Sequence, residues 1–298
     1  MKYTQLLSNQ LLVATVLLCA ALTAAAQDSS QQTKVTPANE ESRALDLQGL
    51  ALGDAGRYAE AIEAYTRALR VAPNDFSIYN HLGYSYAMLK RYEEAISALK
   101  KSIARRSDLA VSHFNLGEVY GVTGHDAEAL AEYSRVVKID PHHNMARVRR
   151  CQTYLALEHD DEAVECYETL LKLAPQDAET RSNYGYVLNR TGQYKKAVVV
   201  LQETVRLFPD WAWTYINLGN SFIHTKRYDQ AVSAFRRALD LAPDNEAARY
   251  NLALAYFAAK NKSAALEEYM ILKRTNEGQA QQLYASMFSK QVLSVKPN

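Results

Sequence analysis

Seven alanines, Ala61, Ala95, Ala129, Ala163, Ala197, Ala231 and Ala265, each stand 34 residues from the next. A strict period admits few folds. Each unit has an apolar face that it cannot cover alone, so a core forms between consecutive units instead of around one centre. Laid over itself at this spacing, the stretch from Ala212 to Asn245 matches the chain from Ser42 to Gly278 without insertion or deletion. The length of 298 residues therefore counts modules, not globular domains.

With positions numbered from Ser42, Phe76, Ala110, Asn144, Ala178, Ala212 and Glu246, the pattern inside each unit becomes readable. Position 8 is small: Gly49, Gly83, Gly117, Cys151, Gly185, Gly219 and Ala253. Position 20 is the recurring alanine. Position 24 is large: Tyr65, Leu99, Tyr133, Tyr167, Leu201, Phe235 and Tyr269. Apolar positions 4, 7, 8 and 11, then 20, 24, 27 and 28, follow helical spacing, which predicts two helices per unit. Gly56, Gly124 and Gly192 mark the turn between them. Proline at position 32 (Pro73, Pro141, Pro175, Pro209, Pro243) cannot continue the second helix and presets the bend into the next unit.

These units resemble tetratricopeptide repeats, and seven gapless copies carry the resemblance. It implies an all-α fold: a right-handed α-solenoid whose inner, concave wall is built by the first helices. Residues 279–291 (QAQQLYASMFSKQ) place Leu283 and Met287 at helical spacing and read as a capping helix over the last apolar face, with 292–298 as a disordered tail.

The chain ahead of the repeats has a different character. Lys2, the apolar run Leu11–Leu22 and Ala24-Ala25-Ala26 have the layout of a cleaved secretory signal over residues 1–26. The 16 residues from Leu11 to Ala26 fall short of the roughly 20 that span a bilayer, although an uncleaved anchor is the rival reading. Residues 27–41 are polar apart from Val35 and read as a flexible linker. An exported protein, periplasmic or secreted in a bacterial envelope, is expected. With a net charge of +1 there is no bulk field to favour nucleic acid, and no membrane insertion is expected after signal cleavage.

The resemblance implies that positions 2, 5, 6, 9, 12 and 13 of the first helices face the groove. Position 6 reads Leu47, His81, Asn115, Arg149, Asn183, Asn217 and Asn251. An asparagine amide both donates and accepts, so a row of them can pair with the backbone of an extended peptide of any sequence. The bland alternative is a common choice at this position, satisfied by water. Tyr84, Phe114, Tyr186, Trp213 and Tyr250 are the aromatic anchors available to select side chains; the alternative is that they only pack on the next repeat. Asn220 and Asn251 match two positions that grip a terminal carboxylate in chaperone-binding members, but Ile216 stands where a lysine is expected. A complete clamp is therefore not expected.

The fourth unit departs from the pattern with Arg147, Arg149 and Arg150 on its first helix. Arg149 with Arg190 would make the groove centre positive toward an acidic segment; the alternative leaves the guanidiniums in water over apolar stems. Cys151 and Cys166 form a possible disulfide closing a loop of about 16 residues, worth ~3 kcal/mol, although position 23 lies about a turn out of line with position 8. Adjacent His142 and His143 lack a third ligand, so no metal is expected. No phosphate loop, nucleophile elbow or zinc spacing occurs. Neither an enzymatic activity nor a cofactor is expected. The reading is a non-catalytic scaffold that binds a peptide segment or helix of an envelope or secreted partner. The alternative is a structural module that self-assembles within an envelope complex, a possible homo-oligomer.

Overall fold

The computed structural model describes residues 37–292, and among them every regular element is an α-helix. The chain divides into two compact units, one reaching to His159 and the other beginning at Asp160. The first holds α1 (Pro37–Asp54), α2 (Tyr58–Val71), α3 (Phe76–Met88), α4 (Tyr92–Arg105), α5 (Ala110–Val122), α6 (Asp126–Ile139) and α7 (Asn144–Ala156). The second holds α8 (Asp160–Leu173), α9 (Ala178–Arg190), α10 (Tyr194–Leu207), α11 (Ala212–His224), α12 (Tyr228–Leu241), α13 (Glu246–Ala258), α14 (Lys262–Thr275) and α15 (Glu277–Val292). No helix among the described residues is long and apolar enough to cross a membrane.

Close approach of the two helices of a pair explains the small residues. A methyl group built on Gly117 would sit 2.8 Å from Tyr133 Cε1, and one on Gly219 would sit 2.6 Å from Phe235 Cε1. Ala129 and Ala231 are fully enclosed beside these rings. Where position 4 is an arginine or histidine, it closes its pair onto the one before by bonding the carbonyl at position 32. Arg249 Nη2 reaches the Pro243 carbonyl at 2.9 Å, and His113 Nε2 lies 3.0 Å from that of Ser107. These carbonyls lie just past the C-cap of the preceding helix, where no helical N–H reaches them, so the bonds satisfy them.

The expected linker is corrected at its end: α1 starts at Pro37, so residues 37–41 are helical. Proline suits the first helical position, where its missing N–H costs nothing, and Glu40 in the first turn favours the helix dipole. The expected signal (1–26), the rest of the linker and residues 293–298 of the expected tail lie outside the described residues. The last helix, expected over 279–291, spans Glu277–Val292 and buries Ala280, Leu283 and Met287; Asn276 Oδ1 accepts from the Gln279 N–H at its start.

Candidate functional site

Position 6 of the first helices turns out to tie one helix pair to the preceding one. In the first unit His81 Nδ1 lies 2.9 Å from Asp46 Oδ1, Asn115 Nδ2 donates to Asn80 Oδ1 at 3.0 Å, and Arg149 donates to Glu118 at 2.8 and 3.3 Å. In the second unit Asn251 Nδ2 donates to Asn220 Oδ1 at 3.1 Å. In these four cases the partner comes from position 5 or 9 of the previous first helix, 35 or 31 residues earlier.

Asn217 breaks this rule. By the same register its neighbours on α9 are Ser182 and Tyr186; the Ser182 hydroxyl accepts from Thr214 Oγ1 at 3.0 Å, and neither residue bonds the Asn217 amide. The backbone around it is anchored: Asn189 Nδ2 donates to the Asn217 carbonyl at 2.8 Å, and Ser221 Oγ lies 2.9 Å from the same oxygen. The side chain is only 1% exposed, yet neither Oδ1 nor Nδ2 has a hydrogen-bond partner. A buried polar group left in this state costs about 1–3 kcal/mol. A peptide unit could recover that cost only by displacing the groups that cover the amide, because both side-chain atoms lie out of contact with solvent.

The aromatic residues divide. Tyr186 and Trp213 are both partly exposed, with ring centroids 5.7 Å apart and planes 45° from parallel. Trp213 lies one helical turn before Asn217, so the ring pair flanks the amide. Asn183 and Asn220, also partly exposed, extend the same polar face. Phe114 does not belong to any groove: it is 1% exposed, 4.9 Å from the His143 ring and 5.9 Å from that of Tyr133. Tyr84 packs edge-on against Tyr58 at 6.2 Å, and burial raises the pKa of its hydroxyl. The Tyr250 hydroxyl lies 3.0 Å from Ser286 Oγ of α15, so this ring anchors the last helix.

The positive groove centre is corrected too. Glu118 neutralises Arg149 and also accepts from the Tyr133 hydroxyl at 2.6 Å, while Arg190 sits 3.1 Å from Asp160. Each guanidinium is matched by one carboxylate, so no surplus charge remains for an acidic segment. Cys151 and Cys166 are both in the disulfide form, and both are buried. Among the described residues no group of three histidines, cysteines or carboxylates is placed to hold a metal ion.

Sequence reasoning passed over the polar seam between first helices. In the first unit Ser112 Oγ donates to Asn80 Oδ1 at 3.1 Å; in the second Ser221 Oγ donates to Asn189 Oδ1 at 2.7 Å. The available signal was small polar residues recurring at positions 3 and 10 of otherwise apolar helices.

Sequence profiles described as tetratricopeptide repeat match residues 47–110 and 216–278, 127–182, and 110–143. No curated protein matches the chain by sequence. Among solved structures, a tetratricopeptide repeat protein from Parabacteroides merdae superposes with a TM-score of 0.61 at 14% identity, over 84% of this chain and 99% of that one. The C-terminal part of a TPR repeat-containing protein from Cytophaga hutchinsonii reaches 0.65 at 18% identity, over 81% and 98%. YrrB, described as a TPR protein with an unusual peptide-binding site, reaches 0.57 at 20% identity, over 63% and 96%. At such identities these likenesses show the fold alone.

Proposed function

The chain belongs to the tetratricopeptide repeat family, and from that premise we propose that it is a non-catalytic scaffold holding an extended segment of a partner protein against α9 and α11, centred on Asn217. The single observation that carries this reading is the Asn217 amide, enclosed and without a partner on either atom. A peptide backbone offers one acceptor and one donor to match this amide, once the groups that enclose it are displaced. The Tyr186–Trp213 pair beside it supplies apolar area at low entropic cost, as aromatic anchors do in other interfaces. YrrB, of the same fold, is described as having a peptide-binding site, which supports a peptide as the ligand class. Two paired hydrogen bonds at ~1 kcal/mol each cannot offset an association cost of about 4–15 kcal/mol. Affinity must therefore come chiefly from side chains set against the rings.

The test is in-cell photocrosslinking with the probe at position 213, compared with position 199, where Val199 is exposed on α10. Adducts specific to position 213 and lost on Asn217→Ala support the proposal. Equal capture at both positions would overturn it. Export, proposed from residues 1–26, is checked by the N-terminal sequence of the mature protein.

A second reading, self-assembly, draws on Leu266, Met270 and Tyr284, which stand 42%, 50% and 49% exposed on the last two helices. Apolar groups exposed at the end of a repeat array invite a copy of the chain. Light scattering that finds only monomer removes this reading.

A further inference from the structure

The repeat brings the turns between paired helices to one edge, and in the second unit the charge of that edge changes character along the chain. In the first unit the second helix of a pair opens on carboxylates: Glu60 in α2, Glu93 and Glu94 in α4, Asp126 and Glu128 in α6. The second unit begins alike, with Asp160, Asp161 and Glu162 in α8. Carboxylates are then absent from the first turns of α10 and α14, and α12 keeps Asp229 alone. Lysines take over. Lys196 is engaged by Glu168 at 3.2 Å, while Lys195, Lys226, Lys260 and Lys262 are exposed.

Two of these lysines hold a backbone conformation that a side chain resists. Lys226 and Lys260 have φ of 61° and 65°, in the left-handed region where Gly192 stands in the preceding turn at 74°. A non-glycine residue pays for this geometry, so ease of turning does not explain the lysine. Lys90 adopts the same φ in the first unit, but there Glu93 and Glu94 follow, and Glu94 is bound to Arg91 at 2.7 Å.

Between neighbouring turns lie two shallow recesses, both largely open to solvent. The first, of about 650 Å³, is lined by Lys195, Lys196, His224 and Lys226, with the Tyr194 and His224 rings stacked 4.0 Å apart and 3° from parallel as its wall. The second, of about 400 Å³, is lined by Lys226, Arg227 and Lys260, with Asp229 the one carboxylate. Lys226 serves both, which makes the two recesses one continuous basic edge.

We propose that this turn edge of the second unit is a docking surface for an acidic polypeptide segment. It is separate from the Asn217 site and does not depend on it. Recesses between turns, one of them walled by flat rings, accept side chains projecting from a chain. A bilayer would present a plane of headgroups to the turn tips and leave the recesses empty. The clustered lysines would steer an acidic segment inward, and salt would screen that attraction.

The experiment measures binding of a short fluorescent peptide of alternating glutamate and glycine by anisotropy, beside flotation with vesicles of phosphatidylglycerol and phosphatidylcholine. The variant Lys195→Gln, Lys226→Gly, Lys260→Gly removes the charge while giving two strained turns their preferred residue, so folding is not endangered. The expected result is peptide binding that weakens about tenfold in the variant, falls similarly as salt rises from about 0.05 to about 0.5 M, and survives Trp213→Ala. Unchanged binding in the triple variant, or binding to vesicles with none to the peptide, overturns the proposal.

Discussion

Two glycines one turn apart on α5 face the same ring and should respond oppositely to the same substitution. A Cβ on Gly117 would lie 2.8, 3.0 and 3.2 Å from Tyr133 Cε1, Cδ1 and Cζ, whereas one on Gly121 meets nothing nearer than the Tyr133 hydroxyl at 3.6 Å. Tyr133 is 3% exposed and its hydroxyl donates to Glu118 at 2.6 Å, so the ring has no free direction in which to retreat. Overpacking of this kind costs about 1–3 kcal/mol. Against that, replacing a helical glycine by alanine gains up to about 0.5–1 kcal/mol, and less near a helix end such as Gly121, one residue before the last of α5. Gly117→Ala should therefore lose up to about 2.5 kcal/mol net, and Gly121→Ala should gain up to about 1. Urea unfolding followed by far-ultraviolet circular dichroism resolves this difference at unchanged slope. In a Tyr133→Ala background the loss at Gly117 should vanish. If both glycine variants shift equally, or the loss persists without the ring, close helix approach is not what position 8 serves.

The His113 pair makes a pH prediction. Burial lowers the His113 pKa, but the hydrogen bonds to Glu132 at 2.6 Å and to the Ser107 carbonyl outweigh it, and the net shift is upward. A raised folded-state pKa gives stability that is full below the unfolded value and lost as pH rises through the folded one. Wild type should therefore lose stability relative to His113→Gln as pH rises above the ordinary histidine value of about 6.5, and parallel melting curves for the two would exclude the pair as the source. Gly53→Asn should stabilise the first unit by about 1–2 kcal/mol, because Ser85 Oγ is buried without a partner where the equivalent Ser221 donates to Asn189; a melt unchanged or lowered counts against this equivalence. Asn217→Leu should leave the fold as stable or up to about 1–3 kcal/mol more stable, since it removes an unsatisfied amide of similar size, while abolishing partner capture in the crosslinking assay. A destabilised Asn217→Leu protein would mean that the amide is already satisfied, by water.

What could be read from the sequence, and what could not, follows from what a period encodes. The alanine, glycine and ring at positions 20, 8 and 24 meet within one helix pair, so their spacing alone identifies the contact, and Gly219 beneath Phe235 bears it out. A period also tells which face of a helix a residue occupies. It does not tell which neighbour that residue meets, because the neighbour belongs to another pair and varies in identity. Position 6 was read as a ladder of free amides on this account. In the first unit Asn115 is spent on Asn80 and Arg149 on Glu118; in the second Asn251 is spent on Asn220. Phe114 failed in the same way, since His143, which it meets, sits at the entry to the following pair. Once residues are compared at separations of 31 and 35, the sequence itself separates the cases. Asn80, Glu118 and Asn220 can each bond to the position-6 side chain of the next pair. Tyr186, 31 residues before Asn217, offers a ring instead, and the Ser182 hydroxyl, 35 before, is bonded to Thr214 and not to the amide. The candidate site is thus a place where the inter-repeat bond is not made, and that absence separates Asn217 from Asn251, which looks identical to it one period away.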